Sequence, residues 1–325
     1  MRRAAASAPA KAIIVGEHFV VKGAGALVAA VGRRVRVRVE RLEEERVELE
    51  SSLFKVRIEP KEVEAGRAQL PREALPYIAL LKGLAARGYS IYPHRAVIEG
   101  GVPPGAGLGS SASTAVAYAL AYTALHGDPL SGGSLFEAAM EAEKVAHGNP
   151  SGVDVAIAVD GGFLFYRRGS GWRKVESKLR DVVLVVADTG VKRSTRDVVN
   201  HVLATAGRLG RAGELIYRAG EALALKALEA VESGDEVLLG LTMNAAHGLL
   251  ASLGASSSAI ERVVYAMRSS GALGAKLTGA GWGGAVIGLA YEGDASRVSE
   301  EASKLSRYVF VSSLGASGAS IDSLE

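Results

Sequence analysis

The sequence predicts an α+β protein of two halves, on three observations. Apolar and alternating strand-like runs interleave with long helical stretches along the 325 residues, without a repeat, heptad or low-complexity tract. Arg167 to Arg180 is polar and carries Gly169 and Gly171, a composition suited to a junction, so the expected domains are residues 1–170 and 171–325. The second half has strands at both ends around a run of helices, the pattern of a small sheet covered by helices on one face.

Taken in order, Ala12–Val15 is a short apolar strand running into Gly16-Glu17-His18. Phe19–Val21, Ala26–Val31 and Arg33–Glu40 continue as strands, with glycines at the turns. Arg46–Glu50 and Phe54–Ile58 alternate apolar and charged residues and predict a hairpin. Pro71–Arg87 reads as a helix ended by Gly88, and Arg95–Glu99 as a strand feeding a glycine-rich stretch. Ser111–Leu125 is an Ala-rich helix. Ser134–Ala146 is another, with Ser134 as N-cap and Glu137 completing a capping box. Val153–Val159 and Phe163–Tyr166 read as strands on either side of Gly161-Gly162. Beyond the junction come the apolar strand Val182–Ala187 and the helices Thr195–Leu209, Ala212–Glu232, Asp235–Leu253 and Ser257–Ser269. Strands Ala272–Leu277 and Gly283–Leu289, helix Ala295–Ser306 and strand Tyr308–Ser312 complete the pattern.

Composition narrows the function. Hydrophobic residues make up 48% and aromatics only 6%, which implies a sizeable core of Ala, Val and Leu. The net charge of +3 suits an anionic ligand but lacks the clustered basic face of a nucleic-acid binder. The one basic cluster, Arg33 to Arg38, alternates with valine and reads as a strand with one wet face. There is no cysteine, which excludes disulfides and thiolate catalysis and disfavours structural zinc. The start, Met1 to Ala10, has a charged and small-residue character, but its apolar part is too short for a signal peptide and is followed by Lys11, Glu17 and His18. The uncharged run Gly100–Leu125 leaves a helix of about 16 residues after its loop. That is roughly 24 Å, less than the ~30 Å of a hydrocarbon core, so a buried helix and no membrane partner are expected.

Pro103-Pro104-Gly105-Ala106-Gly107-Leu108-Gly109-Ser110-Ser111 opens the Ala-rich helix. Glycines let backbone approach a ligand, and the helix start offers free N–H groups, so the stretch predicts an anion cradle. It is neither G-x-x-x-x-G-K-[ST], since no lysine follows Gly109, nor G-x-G-x-x-G in register. A second cluster, Gly279-Ala280-Gly281-Trp282-Gly283-Gly284, lies between two strands and on its own reads as a hairpin turn. Asp154 closes a Pro/Gly loop and fits an Asx-turn or cap as well as a site acid. Glu143 near a helix end is an exposed charge or a site carboxylate. Lys11 snorkels at a strand start or enters a site, and Glu17-His18 is a solvated turn or part of that site.

Three separate motifs resemble those of the GHMP small-molecule kinases. Pro103–Ser113 looks like P-x-x-x-G-L-G-S-S-A, Lys11–Gly23 like the first motif and Lys276–Gly284 like the third. Ser7-Ala8-Pro9-Ala10-Lys11, Gly16-Glu17-His18-Phe19-Val20-Val21 and the loop His147–Asp154 resemble the members that phosphorylate mevalonate. The resemblance spans nearly the whole chain. It implies a ribosomal-protein-S5-like N-terminal domain and a ferredoxin-like C-terminal domain with extra helices, with ATP between them. It implies ATP-dependent phosphorylation of the 5-hydroxyl of mevalonate in isoprenoid biosynthesis, in the cytoplasm, and allows a homodimer. Asp154 and Lys11 would be catalytic; Pro104, Gly105, Ala106, Gly107, Leu108, Gly109, Ser110, Ser111 and Ser113 would cradle ATP. Ser111 and Glu143 would hold Mg²⁺, and Glu17, His18, Thr195 and Gly281 would lie near the acceptor. The alternatives are another acceptor within the family (a phosphorylated mevalonate, galactose, homoserine or shikimate) and a catalytically silent ATP and metabolite sensor. Three positions depart from the family pattern: Ala10 replaces a glycine, Val155 an asparagine, and Trp282 a glycine of the third motif.

Overall fold

In the computed structural model, residues 2–65, 70–102, 105–148 and 150–325 are described. Two long strands, β1 (Arg3–Val15) and β2 (Gly25–Arg41), pair antiparallel and form the spine of the first sheet. β1 begins well before the expected Ala12. Its alanines are thin enough to be buried on both faces: Ala4, Ala6 and Ala8 join the core, and Arg34 of β2 folds over Ser7, donating from Nε to Oγ at 2.9 Å. β2 is one strand where two were expected. Gly32 does not turn the chain; a Cβ there would collide with Ser313, so the glycine serves close approach. The expected strand Phe19–Val21 is a single-turn 3-10 helix, Phe19–Lys22. Its apolar residues are held from outside: the fully buried Phe19 meets Tyr217 edge-on at 5.8 Å.

β3 (Val47–Glu50) and β4 (Lys55–Ile58) form the expected hairpin, followed by α1 (Pro60–Ala65), α2 (Leu75–Ala86) and β5 (His94–Gly100). α3 (Ser110–Leu125) lies across β1 and β2 and is buried around nearly its whole circumference, as its uncharged sequence requires. α4 (Gly132–His147) starts earlier than expected. Its cap is Ser131, in a box with Ser134, so Ser134 is the third residue of the helix and not its cap. Val153–Val159, expected as a strand, is part of helix α5 (Val153–Asp160), packed on α3, α4 and β1. A short run buried on every side carries no period that separates the two states.

β6 (Phe163–Arg167) pairs with β2, and β7 (Gly171–Val175) pairs back on β6. The expected boundary between residues 170 and 171 therefore falls inside a hairpin of the first sheet. The exposed Arg173 and Lys174 give this edge strand its linker-like composition.

The second half contains β8 (Val182–Asp188), α6 (Thr195–Leu209), α7 (Arg211–Ser233), α8 (Glu236–Ser252) and α9 (Ser258–Ser269). It continues with β9 (Gly274–Leu277), β10 (Ala285–Tyr291), α10 (Ala295–Ser303) and β11 (Tyr308–Ser313). The sheet order β11-β8-β10-β9 is antiparallel throughout. Helices were expected on one face only, yet both faces are covered. Val185, Ala187 and Val286 pack with residues of α6, α8, α9 and α10. Leu184, Val186 and Ile287 face α7, α8 and the β1–β2 ribbon. A last strand, β12 (Ser320–Leu324), was not anticipated; it returns to the first sheet and pairs antiparallel with β1. No described helix is long and apolar enough to cross a membrane.

Candidate active site

The ribbon β1–β2, the start of α3 and the loop after β9 enclose a cavity of about 1030 Å³. Gly105, Gly107 and Gly109 each have φ between 74° and 86°, in the left-handed region. At Gly109 the need is strict, because a Cβ would sit 2.7 Å from Lys11 Cγ. Gly109 is also the N-cap of α3 and supplies no side-chain cap, so the first N–H groups of the helix face the cavity lined by Ser110 and Ser111. Leu108 O accepts from Lys11 N at 2.9 Å, stitching the loop to β1. Ala106 and Ser113 do not line the cavity. Ala106 is buried, and its carbonyl accepts from Ala285 N; the Ser113 hydroxyl donates to Pro9 O at 2.7 Å, inside the core. Pro104, also expected in the cradle, lies outside the described residues.

At the cavity floor, Lys11 Nζ and Asp154 Oδ1 are 3.3 Å apart. Lys11 comes from the middle of β1 and is nearly buried, whereas Asp154, in the first turn of α5, is about a third exposed. The helical start explains this placement: α5 presents Asp154 at its open end while Val153, Val155 and Ala156 bury beneath it. Beside the pair, Glu143 comes from the last turn of α4. Burial pushes its carboxyl up, as does Asp154; the Ser111 hydroxyl, His147 and Lys11 pull it down. His147 Nε2 is 3.7 Å from Glu143 Oε2 and 3.4 Å from Ser111 Oγ.

The opposite wall carries the residues expected near the acceptor. His18 is buried and donates from Nε2 to Ala280 O at 2.6 Å. Burial holds its pKa below the usual range, against that hydrogen bond and the Glu17 carboxylate. Glu17 also lines the cavity, but one of its oxygens is paired with Lys276. Thr195, the first residue of α6, is on the rim. Gly281 is not among the lining residues. It packs against the backbone of Ala255, and its neighbour Ala280 takes its place in the wall. Trp282 turns outward at φ 58°, donating from Nε1 to Gly254 O at 2.8 Å, so it ties the glycine turn to the α8–α9 connection.

Arg193 was missed. It precedes the cap of α6, donates from NH1 to Gly105 O at 3.0 Å and lies against both Gly107 and Gly284, a cation between the two glycine loops. Burial pushes its guanidinium down, opposed by Asp188. The only sequence signal was a basic pair, Lys192-Arg193, after an apolar strand.

Comparison with known proteins places this geometry in a family. The GHMP kinases N terminal domain matches residues 74–162, and GHMP kinases C terminal matches residues 224–306. The chain is 57% identical to the mevalonate kinase of Aeropyrum pernix, over 99% of both chains, and 34% identical to that of Pyrococcus furiosus, over 88% of each. A crystal structure of L. major mevalonate kinase in complex with R-mevalonate superposes with a TM-score of 0.82 at 27% identity, covering 96% of this chain and 95% of that one. The Methanococcus jannaschii mevalonate kinase has the same fold, with a TM-score of 0.85 at 22% identity over 95% and 98% of the chains. With two glycine loops around one cavity, a Lys–Asp pair at its floor and these relatives along its whole length, the chain belongs to the mevalonate kinases of the GHMP kinase family.

Proposed function

We propose that this enzyme transfers the γ-phosphoryl group of ATP to the 5-hydroxyl of mevalonate, with Asp154 and Lys11 as catalytic residues. The observation that carries the assignment is the Lys11–Asp154 pair, 3.3 Å apart between the open start of α3 and the wall bearing His18. Phosphoryl transfer asks for positioning and charge stabilisation more than covalent help. Asp154 accepts the proton of the attacking hydroxyl. Lys11, beside that carboxylate, stabilises the oxygen as it loses its proton. The N–H groups of Gly109, Ser110 and Ser111, at the positive end of α3, receive the phosphate oxygens, and Arg193 adds a cation from the facing loop. His18, Glu17 and Thr195 position the acceptor.

Ser111 and Glu143 fit a Mg²⁺ ion. They are hard oxygen donors side by side, and the Glu143 carboxyl, pushed up by burial and further by Asp154, gains from a neighbouring cation. When bound, Mg²⁺ would neutralise phosphate charge. Purified enzyme with ATP, MgCl₂ and R-mevalonate is expected to give 5-phosphomevalonate and ADP in equal amounts, and EDTA to stop turnover until Mg²⁺ is restored. ADP formed without phosphorylated mevalonate would refute the acceptor.

A further inference from the structure

Behind the acceptor wall, β9 and the turn that follows it carry three polar groups at alternate positions, 276, 278 and 280. All three meet the segment from the end of β1 to the 3-10 turn. Lys276 Nζ donates to Glu17 Oε1 and, at 2.7 Å, to Leu277 O. Thr278 Oγ1 accepts from Ile13 N at 3.1 Å and donates to Ile13 O at 3.2 Å. Ala280 O accepts from His18 Nε2 at 2.6 Å. The contacts join residues more than 250 positions apart in the chain, across the two sheets.

The first rung is costly to build. The Lys276 and Glu17 side chains are 0% and 1% exposed, and taking both charges out of water costs more than an apolar pair of similar volume would. Glu17 gives Lys276 only one oxygen. Oε2 is buried without a hydrogen-bond partner among the described residues, and Glu17 lines the cavity beside His18. A carboxylate anchored through one oxygen is fixed in direction, with its second oxygen left over as an acceptor. Thr278 does the equivalent for the backbone: it occupies both polar groups of Ile13 where the β1–β2 register shifts, between Ile13 and Val15. The chain leaves β1 toward Glu17 and His18 just beyond that shift.

We infer that Lys276 is a positioning residue for the acceptor alcohol: with Thr278 and Ala280 it clasps the third glycine motif onto Glu17-His18, so that the second half of the molecule fixes the acceptor wall built by the first. The inference rests on the proposed function and concerns only the acceptor side. The α3 cradle has ties of its own: Lys11 N to Leu108 O, Ala285 N to Ala106 O and Arg193 to Gly105 O.

The test is steady-state kinetics of Lys276→Met, Lys276→Arg and Thr278→Val, each at a temperature where circular dichroism shows it folded. Lys276→Met is expected to raise the KM for R-mevalonate by about 10- to 100-fold, as a displaced binding group does, with the KM for ATP unchanged. Lys276→Arg should recover part of the loss, and Thr278→Val should move the acceptor KM the same way by a smaller factor. Folded variants with unchanged acceptor KM, or with both KM values raised alike, would overturn the clasp and leave a purely structural ion pair. If Lys276→Met does not fold, Thr278→Val decides alone, since its side chain bears no charge and lies outside the cavity lining. A wild type inactive on R-mevalonate refutes the proposed acceptor and not the clasp, which is then read on the alcohol that the wild type does phosphorylate.

Discussion

Asp154 is reached from two directions: its carboxylate faces Lys11 Nζ at 3.3 Å, and its own helix keeps it at the cavity surface. Its bond to Lys11 is also what a passive ion pair would look like, and substitution separates the two readings. Asp154→Asn keeps the shape and removes the proton acceptor. It is expected to lower kcat by about 10²- to 10⁴-fold, the usual worth of general-base help, with the KM for ATP little changed. A variant with normal kcat and weakened ATP binding would move Asp154 from catalysis to the nucleotide. At this scale the sequence was legible where a motif fixes spacing: Lys11, Gly109, Ser111 and Asp154 line one cavity, with Glu143 beside Ser111, and their roles stand as proposals. It was not legible where function depends on which way a residue points. Ser113 turns into the core and Gly281 against Ala255. Arg193 became visible only when folding set it between two loops far from it in sequence.

Among the elements, the amphipathic helices α6, α7 and α9 were read correctly, because one exposed face imposes a period. α5 was misread because Val155, Ala156, Ile157 and Ala158 are buried together and bear no period, and the 3-10 turn because a single turn is too short to show one. α3 has the same character, but its length made it a helix. Its Tyr118 meets a buried histidine outside the cavity. His94 of β5 is fully buried, donating from Nδ1 to Tyr92 O at 2.8 Å and accepting at Nε2 from the Tyr118 hydroxyl at 2.6 Å. Burial, reinforced by His126, drives its pKa to about 4, with only the Tyr92 carbonyl opposing. A base weakened by folding stabilises the native state while it is neutral in both states. Its contribution is therefore full above the ordinary histidine value of about 6.5 and is lost as pH falls from there to about 4. The loss amounts to ~3 kcal/mol. Urea denaturation from pH 7 to pH 4 should show this decline, with a shallower slope in His94→Gln. Equal slopes would mean that other groups govern acid stability.

For the molecule as a whole, the two sheets are joined by more than the cavity between them. β12 leaves the second half and pairs with β1 from Ala4 to Ser7, and Asp322 accepts from the Ser7 hydroxyl at 2.8 Å and pairs with Arg36 at 3.1 Å. Leu184, Val186 and Ile287 of the second sheet share a core with Ala10, Ala12 and Leu27 of the first. The sequence hid the return of β12 because its short, mostly exposed strand has little apolar signal. We propose that the halves form one cooperative unit. Calorimetry should then give a single unfolding transition, with the calorimetric enthalpy equal to the van't Hoff enthalpy. Deleting residues 319–325 opens the edge of β1 and removes its ladder bonds together with the Asp322 contacts. At about 1 kcal/mol per bond, the Tm should fall by about 5 °C or more while the transition stays single. Two resolved transitions in the intact chain, or a deletion that shifts only one part of a split transition, would show that the halves unfold independently and that β12 is an appendage of the first sheet alone.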